Sequence, residues 1–181
     1  MMSAETTNLA LESLAVDFFH QSAGSWNSKR RYYTLNEDVE PQEVESSLKV
    51  SFLPQGAPEL IELAQSHQLE DLAALVCGTK VTWSSNYTKQ NRKPIIGSTV
   101  FGIKGNILYR DRGFATPKPV IAICSFINAE TMNLRTEYNA NVFEEEIKLI
   151  GSKYRTRQTI ISRAGEEITI GQYLEQRISN E

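Results

Sequence analysis

From Trp26 onward the chain alternates apolar and polar residues with a period of two, and turn-forming residues break the alternation at short intervals. That pattern belongs to an antiparallel meander, because βαβ units would interpose long stretches of helical periodicity between the strands. The alternation predicts strands over Trp26–Leu35, Leu48–Leu53, Thr79–Tyr87, Ser98–Ile103, Ile107–Asp111, Val120–Asn128, Met132–Asn139, Phe143–Ile150, Tyr154–Ser162 and Glu167–Tyr173. Gly105-Asn106, Gly151-Ser152 and Ala164-Gly165 supply the chemistry of tight hairpin connections. So many strands in 181 residues are best accommodated by a sheet that closes on itself, since closure removes the unpaired edges through which sheets aggregate. The fold class expected is therefore all-β, an antiparallel barrel of about 8–10 strands.

Two helices interrupt this pattern. Between Glu5 and Gln21, Leu11, Leu14, Ala15, Phe18 and Phe19 fall at helical spacing, and Gly24 stands where a left-handed cap would end the helix. A second, short helix starts with Pro58 at its first position, carries Glu59 and Glu62 near its positive end and finishes near His67; Leu69 to Leu75 is expected to add a further turn. The organisation read from the chain is one domain over residues 1–181, with the N-terminal helix in 1–25, the barrel in 26–175 and a helical insertion near 57–75.

Composition narrows the function. Nineteen basic and 22 acidic side chains leave a net charge of −3, too little of either sign to attract nucleic acid or an anionic membrane. Cys77 and Cys124 form no CxxC motif, which argues against a disulfide framework or zinc knuckle and for a reducing compartment. With His20 and His67 as the only histidines, no metal site is expected. No apolar run reaches the length of a membrane span, and the first 25 residues do not read as a secretory signal.

A barrel of this size is either filled by side chains or left with room for one small ligand, so polar residues on its inner face are diagnostic. Arg155, Arg157, Thr159 and Ile161 share one face of their strand, and Asn133, Arg135 and Glu137 share one face of theirs. Which face points inward depends on loop parity, because a one-residue shift exchanges the faces of everything beyond it. A two-residue turn at Gly151-Ser152 would pair Arg157 with Glu146 on a solvated wall. A three-residue loop, Gly151-Ser152-Lys153, would set Arg155 and Arg157 beside Leu149 and Ile147 and turn Glu144, Glu146 and Lys148 outward. A three-residue loop at Asn139-Ala140-Asn141 would then bring Glu137 to the arginines' side. The sequence leaves both parities open. If the arginines face inward, two guanidiniums in an apolar cavity call for an anionic ligand, and arginine forks match carboxylates.

The motifs widen this reading. Gly24-Ser25-Trp26 matches the G-x-W at the start of lipocalin barrels. Further agreement runs through Cys77-Gly78-Thr79-Lys80-Val81-Thr82-Trp83, Gly97-Ser98-Thr99-Val100, Arg110-Asp111-Arg112-Gly113-Phe114-Ala115, Leu134-Arg135-Thr136-Glu137-Tyr138 and Tyr154-Arg155-Thr156-Arg157. In order and spacing these resemble the S/U-type phycobiliprotein chromophore lyases (CpcS, CpeS and CpcU) over nearly the whole chain.

The resemblance implies a lipocalin/calycin-like barrel that binds an open-chain tetrapyrrole, phycocyanobilin or phycoerythrobilin, and attaches it as a thioether to a cysteine of an apo-phycobiliprotein subunit. The bilin is a bound substrate, and no cofactor is implied. By position in the family's motifs, Arg155, Arg157 and Arg30 would hold the two propionates, Trp83 would stack on a pyrrole ring, and Glu137 would face the pyrrole nitrogens as the catalytic acid. Each has an ordinary alternative: Arg30 sits in the run Lys29-Arg30-Arg31, Trp83 alternates with core residues, and Glu137 has arginine neighbours with which to form a surface ion pair. Trp26 reads as a core plug. The resemblance further implies a homodimer, or a heterodimer with a related lyase subunit, in the cytoplasm of a phycobilisome-bearing cell such as a cyanobacterium. Two other functions fit the same residues, a bilin carrier that transfers nothing covalently and a partner subunit of a hetero-oligomeric lyase.

Overall fold

The computed structural model of the protein describes residues 4–87 and 93–178. Ten strands follow one another around the wall: β1 (Gly24–Thr34), β2 (Gln42–Pro54), β3 (Cys77–Tyr87), β4 (Ile95–Lys104), β5 (Ile107–Arg110), β6 (Val120–Asn128), β7 (Thr131–Tyr138), β8 (Asn141–Ile150), β9 (Tyr154–Arg163) and β10 (Glu166–Arg177). Each pairs antiparallel with its neighbours in sequence, and β10 returns to pair with β1, which closes the barrel. The predicted strands are all present. β2 begins earlier than expected because its first half, Gln42 to Ser47, carries almost no apolar signal and is held by ladders to both β1 and β3. β10 continues beyond Tyr173 to Arg177, with Gly171, Tyr173 and Glu175 inward and Leu174 exposed, an inversion of the usual alternation.

Helix α1 (Ala4–Ser22) plugs the end of the barrel where β1 starts. Its Ala15, Phe18 and Phe19 join Cys77, Ile103, Leu108, Cys124 and Met132 in the main core cluster, and the Phe18 ring meets Phe126 edge-on at 5.7 Å. Glu12 accepts a 2.6 Å hydrogen bond from the backbone N–H of Gly105 in the β4–β5 turn, which fixes the helix over the sheet. Trp26 is fully buried beneath the helix and donates from Nε1 to the Ser22 carbonyl at 3.0 Å. Arg177 stacks on that indole at 4.2 Å and donates to the carbonyls of Gln21 and Ala23, which satisfies groups at the helix end. Gly24 is the first residue of β1 rather than part of the helix end, and its φ of +133° is not that of a left-handed cap.

Helix α2 (Pro58–Ser66) lies on the outside of the wall, with Leu60, Leu63 and Ala64 packed on Leu53 and Leu75. Gly78 of β3 and Gly102 of β4 face each other there in register. A Cβ on Gly78 would stand 2.1 Å from the Phe101 carbonyl oxygen and 2.5 Å from Leu60, so the absence of a side chain is what lets the helix settle onto the sheet. Leu69 to Leu75 forms turns and irregular backbone rather than the expected helix; Asp71 accepts the Ala73 N–H at 2.9 Å and so closes a local turn that competes with one. Gly78→Ala is expected to destabilise the protein by about 2 kcal/mol through overpacking, measured as a lower urea midpoint at unchanged slope.

Candidate functional site

The closing ladder sets the polar interior of the barrel. Across β1, β10 and β9, Ser28 stands opposite Glu175 and Glu175 opposite Arg155; one step toward the open end, Arg30 stands opposite Tyr173 and Tyr173 opposite Arg157. The β8–β9 connection is the three-residue loop Gly151-Ser152-Lys153, with Gly151 at φ +57°, so Arg155 pairs with Leu149 and Arg157 with Ile147. Glu144, Glu146 and Lys148 all point outward. The arginines are thus inside.

The β7–β8 connection differs from the expected one. Asn139 and Ala140 both adopt left-handed backbone (φ +51° and +59°), the two-residue primed turn whose twist matches that of the strands it joins. Thr136 then pairs with Phe143, and Glu137 with Val142 on the outer face. The Glu137 side chain is 61% exposed and bonds Arg135 at 2.7 Å, while Arg135 also reaches Glu144 at 2.9 Å. The inward placement of Glu137 is therefore corrected: it belongs to a solvated ion-pair ladder on the outside of the barrel.

Two other acids occupy the interior. Glu175, fully buried, accepts from Nε of Arg155 and from the Ser28 hydroxyl at 3.3 Å, and that hydroxyl in turn accepts from Arg30 at 3.4 Å. Burial alone would raise the Glu175 pKa, but the guanidiniums of Arg155 and Arg157 outweigh it and hold the carboxyl below its ordinary value. The Arg155 guanidinium also lies 4.9 Å from the ring centre of Trp26. On the other wall, Nη2 of Arg110 donates to Oε2 of buried Glu145 at 2.6 Å, with its guanidinium carbon 4.9 Å from the ring centres of Phe101 and Phe114. Four inward arginines (Arg30, Arg110, Arg155 and Arg157) thus face two buried glutamates. Nε of Arg157, Nε of Arg110 and Oε1 of Glu145 are removed from solvent without a hydrogen-bond partner among the described residues, a costly state for polar atoms.

Above this charge layer lies a cavity of about 310 Å³ that reaches the open end of the barrel. Its charged lining groups are Arg30, Arg110, Arg112, Arg157 and Glu145, and Leu48, Val81, Trp83, Phe101 and Tyr173 form much of its apolar wall. Arg155 lies below, in a smaller chamber of about 40 Å³ that shares Arg110 and Arg157 with the cavity. Phe114, from the β5–β6 connection, stacks on Phe143 at 4.8 Å, and the Ala115 N–H of the same connection donates to the Tyr138 hydroxyl. Tyr32 and Tyr173 bring their hydroxyls within 3.2 Å of each other; burial and Tyr32 raise the Tyr173 pKa, so that phenol stays neutral. Cys77 and Cys124 lie in the apolar core, where burial pushes both thiols up to about 12 and leaves them unreactive as nucleophiles.

Of the residues predicted from sequence, Arg30, Arg157 and Trp83 meet at the cavity, Arg155 sits just beneath it and Glu137 lies outside. Sequence reasoning missed Glu145, Glu175, Arg110 and Tyr173. The signal for Glu145 was present in the alternation Phe143, Glu145, Ile147, Leu149, an acid in the middle of an apolar face.

Fold and site together define a lipocalin-like barrel with an arginine-rich cavity. The family model described as CpeS-like protein matches residues 15–178, and the chain belongs to that family. It is 59% identical over 167 residues to the CpcS 2 protein of Nostoc sp., covering 92% of each chain. With the chromophore lyase CpcS/CpeS of Thermosynechococcus vestitus it is 32% identical over 157 residues, covering 82% of this chain and 84% of that one. The solved structure of the S-type phycobiliprotein lyase CPES from Guillardia theta shares the fold, with a TM-score of 0.77 at 21% identity over 92% of this chain and 94% of that one.

Glu175→Ala is expected to cost about 3–5 kcal/mol in urea unfolding, because Arg155 would remain buried without its partner. Since the folded-state pKa of Glu175 is depressed, its contribution is present above the unfolded value of about 4.3 and is lost as pH falls through the folded value. The variant should therefore show a flatter acid limb in stability against pH than the native chain.

Proposed function

We propose that the protein is a phycobilin lyase: it binds an open-chain tetrapyrrole in the barrel cavity and promotes its thioether attachment to a cysteine of an apo-phycobiliprotein subunit. The observation that carries this reading is the charge in and just beneath the cavity, where Arg30, Arg110, Arg155 and Arg157 face Glu145 and Glu175, in a site otherwise walled by aromatic and aliphatic side chains. A ligand with two carboxylates on a long conjugated frame complements both features, and the relatives' names as chromophore lyases agree with it. A cavity near 310 Å³ lies at the lower end of the usual range for ligand pockets, about 300–1,000 Å³. Such a frame would be enclosed only in part, leaving an end ring at the mouth, where an acceptor thiol can approach.

In this reading Arg157 and Arg30 hold the propionates, with Arg155 and its partner Glu175 supporting them from below. Trp83 and Tyr173 contact the ring system. Glu145, whose Oε1 lacks a partner among the described residues, takes the role first assigned to Glu137: it faces the pyrrole nitrogens and keeps the conjugated system protonated and electrophilic. The thiol sulfur then bonds to the ethylidene carbon of ring A. The π pair of that double bond moves into the tetrapyrrole, and the proton lost by the thiol balances the one that the tetrapyrrole takes up, so nothing is oxidised. The nucleophile belongs to the acceptor, consistent with the two inert thiols of this chain. Among the described residues no helix is long and apolar enough to cross a membrane, and we place the reaction in the cytoplasm, where the apo-subunit is available.

The test combines the purified protein, phycocyanobilin and an apo-phycobiliprotein subunit, with pigment surviving denaturing electrophoresis as the readout. A covalent band that depends on the protein supports the lyase. Uptake without transfer points to a carrier or to a missing partner subunit, and no uptake removes the bilin reading. Arg157→Ala is expected to weaken bilin binding by about 10- to 100-fold, as loss of a charged hydrogen bond would. Glu145→Gln should bind but slow transfer by about 100-fold, whereas Glu137→Gln should match the native protein in both. Equal transfer by native and Glu145→Gln protein would remove Glu145 from the chemistry.

A further inference from the structure

Trp83 and Gly97 stand directly opposite each other on β3 and β4. A Cβ on Gly97 would lie 2.4 Å from Cζ2, 2.6 Å from Cε2 and 3.0 Å from Nε1 of the indole, against about 3.5–4.0 Å for packed carbon atoms. The indole therefore lies flat across bare backbone, and it, rather than β4, forms the cavity wall at this level. Glycine weakens a strand interior, and where no turn requires it the usual reason is close approach by another group. Gly97 has no left-handed backbone to explain it, so the close approach of Trp83 is the reason available.

We propose that Gly97 is a specificity-determining residue that sets the width of the cavity. By letting Trp83 lie back against β4 it opens room for a wide, flat ring system and offers that system an aromatic face. Any side chain at position 97 would push the indole into the lumen, toward the space also lined by Arg30, Arg157 and Tyr173. This rests on the bilin reading and adds to it a steric selector made from the wall itself.

The test is an absorbance titration of phycocyanobilin into four proteins: native, Gly97→Ala, Trp83→Leu and the double variant, with the spectrum of the bound pigment recorded in each. Gly97→Ala is expected to raise Kd by about tenfold and shift the bound absorption maximum when Trp83 is present, but to change Kd by less than about twofold in the Trp83→Leu background. The same penalty in both backgrounds, or none with Trp83 in place, overturns the proposal, since a merely structural role for Gly97 would not depend on the indole. If Gly97→Ala fails to fold, the same conflict reads out as stability: the double variant must recover a cooperative melt, and its failure to do so also overturns the proposal. Uptake by the native protein with Gly97→Ala unaffected removes this inference alone. No uptake by the native protein removes the bilin reading and this inference with it.

Discussion

The pairing of β1 with β10 is the contact on which the rest of the molecule depends. It joins the two ends of the described barrel, and it is the ladder that sets Ser28, Glu175 and Arg155 in one row and Arg30, Tyr173 and Arg157 in the next. Neither row is complete until the sheet closes. The ion pair of Arg155 with Glu175 and the contact of Arg157 with Tyr173 form within the β9–β10 hairpin, and closure adds the serine that links Glu175 to Arg30 and the contact of Arg30 with Tyr173. Contacts so distant in sequence carry a large loop-closure cost, and the wall is built so that local hairpins meet most of it first. β2 through β10 can add strand by strand, leaving β1, anchored by Trp26 beneath α1, to complete the circle.

This dependence explains what was legible in the sequence. Alternation along a strand is a local property, so strand positions and the shared face of Arg155, Arg157 and Thr159 could be read directly. Loop parity is also local, yet it turns on one residue of backbone. The three-residue loop after β8 was among the alternatives and places the arginines inside, whereas the turn at Asn139-Ala140 puts an alanine into left-handed backbone that its side chain disfavours. The longer loop Asn139-Ala140-Asn141 would have brought Glu137 inward; the two-residue turn suits the twist of the flanking strands, and Glu137 points outward. Glu175 was missed for a different reason. Its strand carries exposed Leu174 between two inward polar positions, so apolar alternation points the wrong way, and its partner Ser28 becomes a neighbour only when the barrel closes.

The interior also shows a tension between stability and function. An apolar filling would serve a barrel of this size at least as well as buried ion pairs, which often cost as much in desolvation as they return. Here the lower half is filled in that way, by Phe18, Phe19, Met132, Leu134 and Ile147. The upper half instead holds more positive than negative groups, and several of its polar atoms have no partner among the described residues. Such an arrangement is unfavourable for folding alone and favourable for receiving anionic charge, which places the cost of the site in the protein and the gain in the complex.

The position of the two halves relative to the plug gives the site a direction. Helix α1 seals the apolar end, and its seal is tied down twice, by Glu12 on the Gly105 amide and by Arg177 on the helix carbonyls. Among the described residues, the cavity opens at the opposite end, where Phe114 and Tyr138 each stack on Phe143. Carboxylates that reach the charge layer must belong to the middle of an elongated molecule or to its leading end, and whatever trails remains near the mouth. The proposed attack of an external thiol needs that geometry: the anionic groups held at depth, Glu145 alongside the conjugated frame, and the reacting carbon left where another protein can reach it.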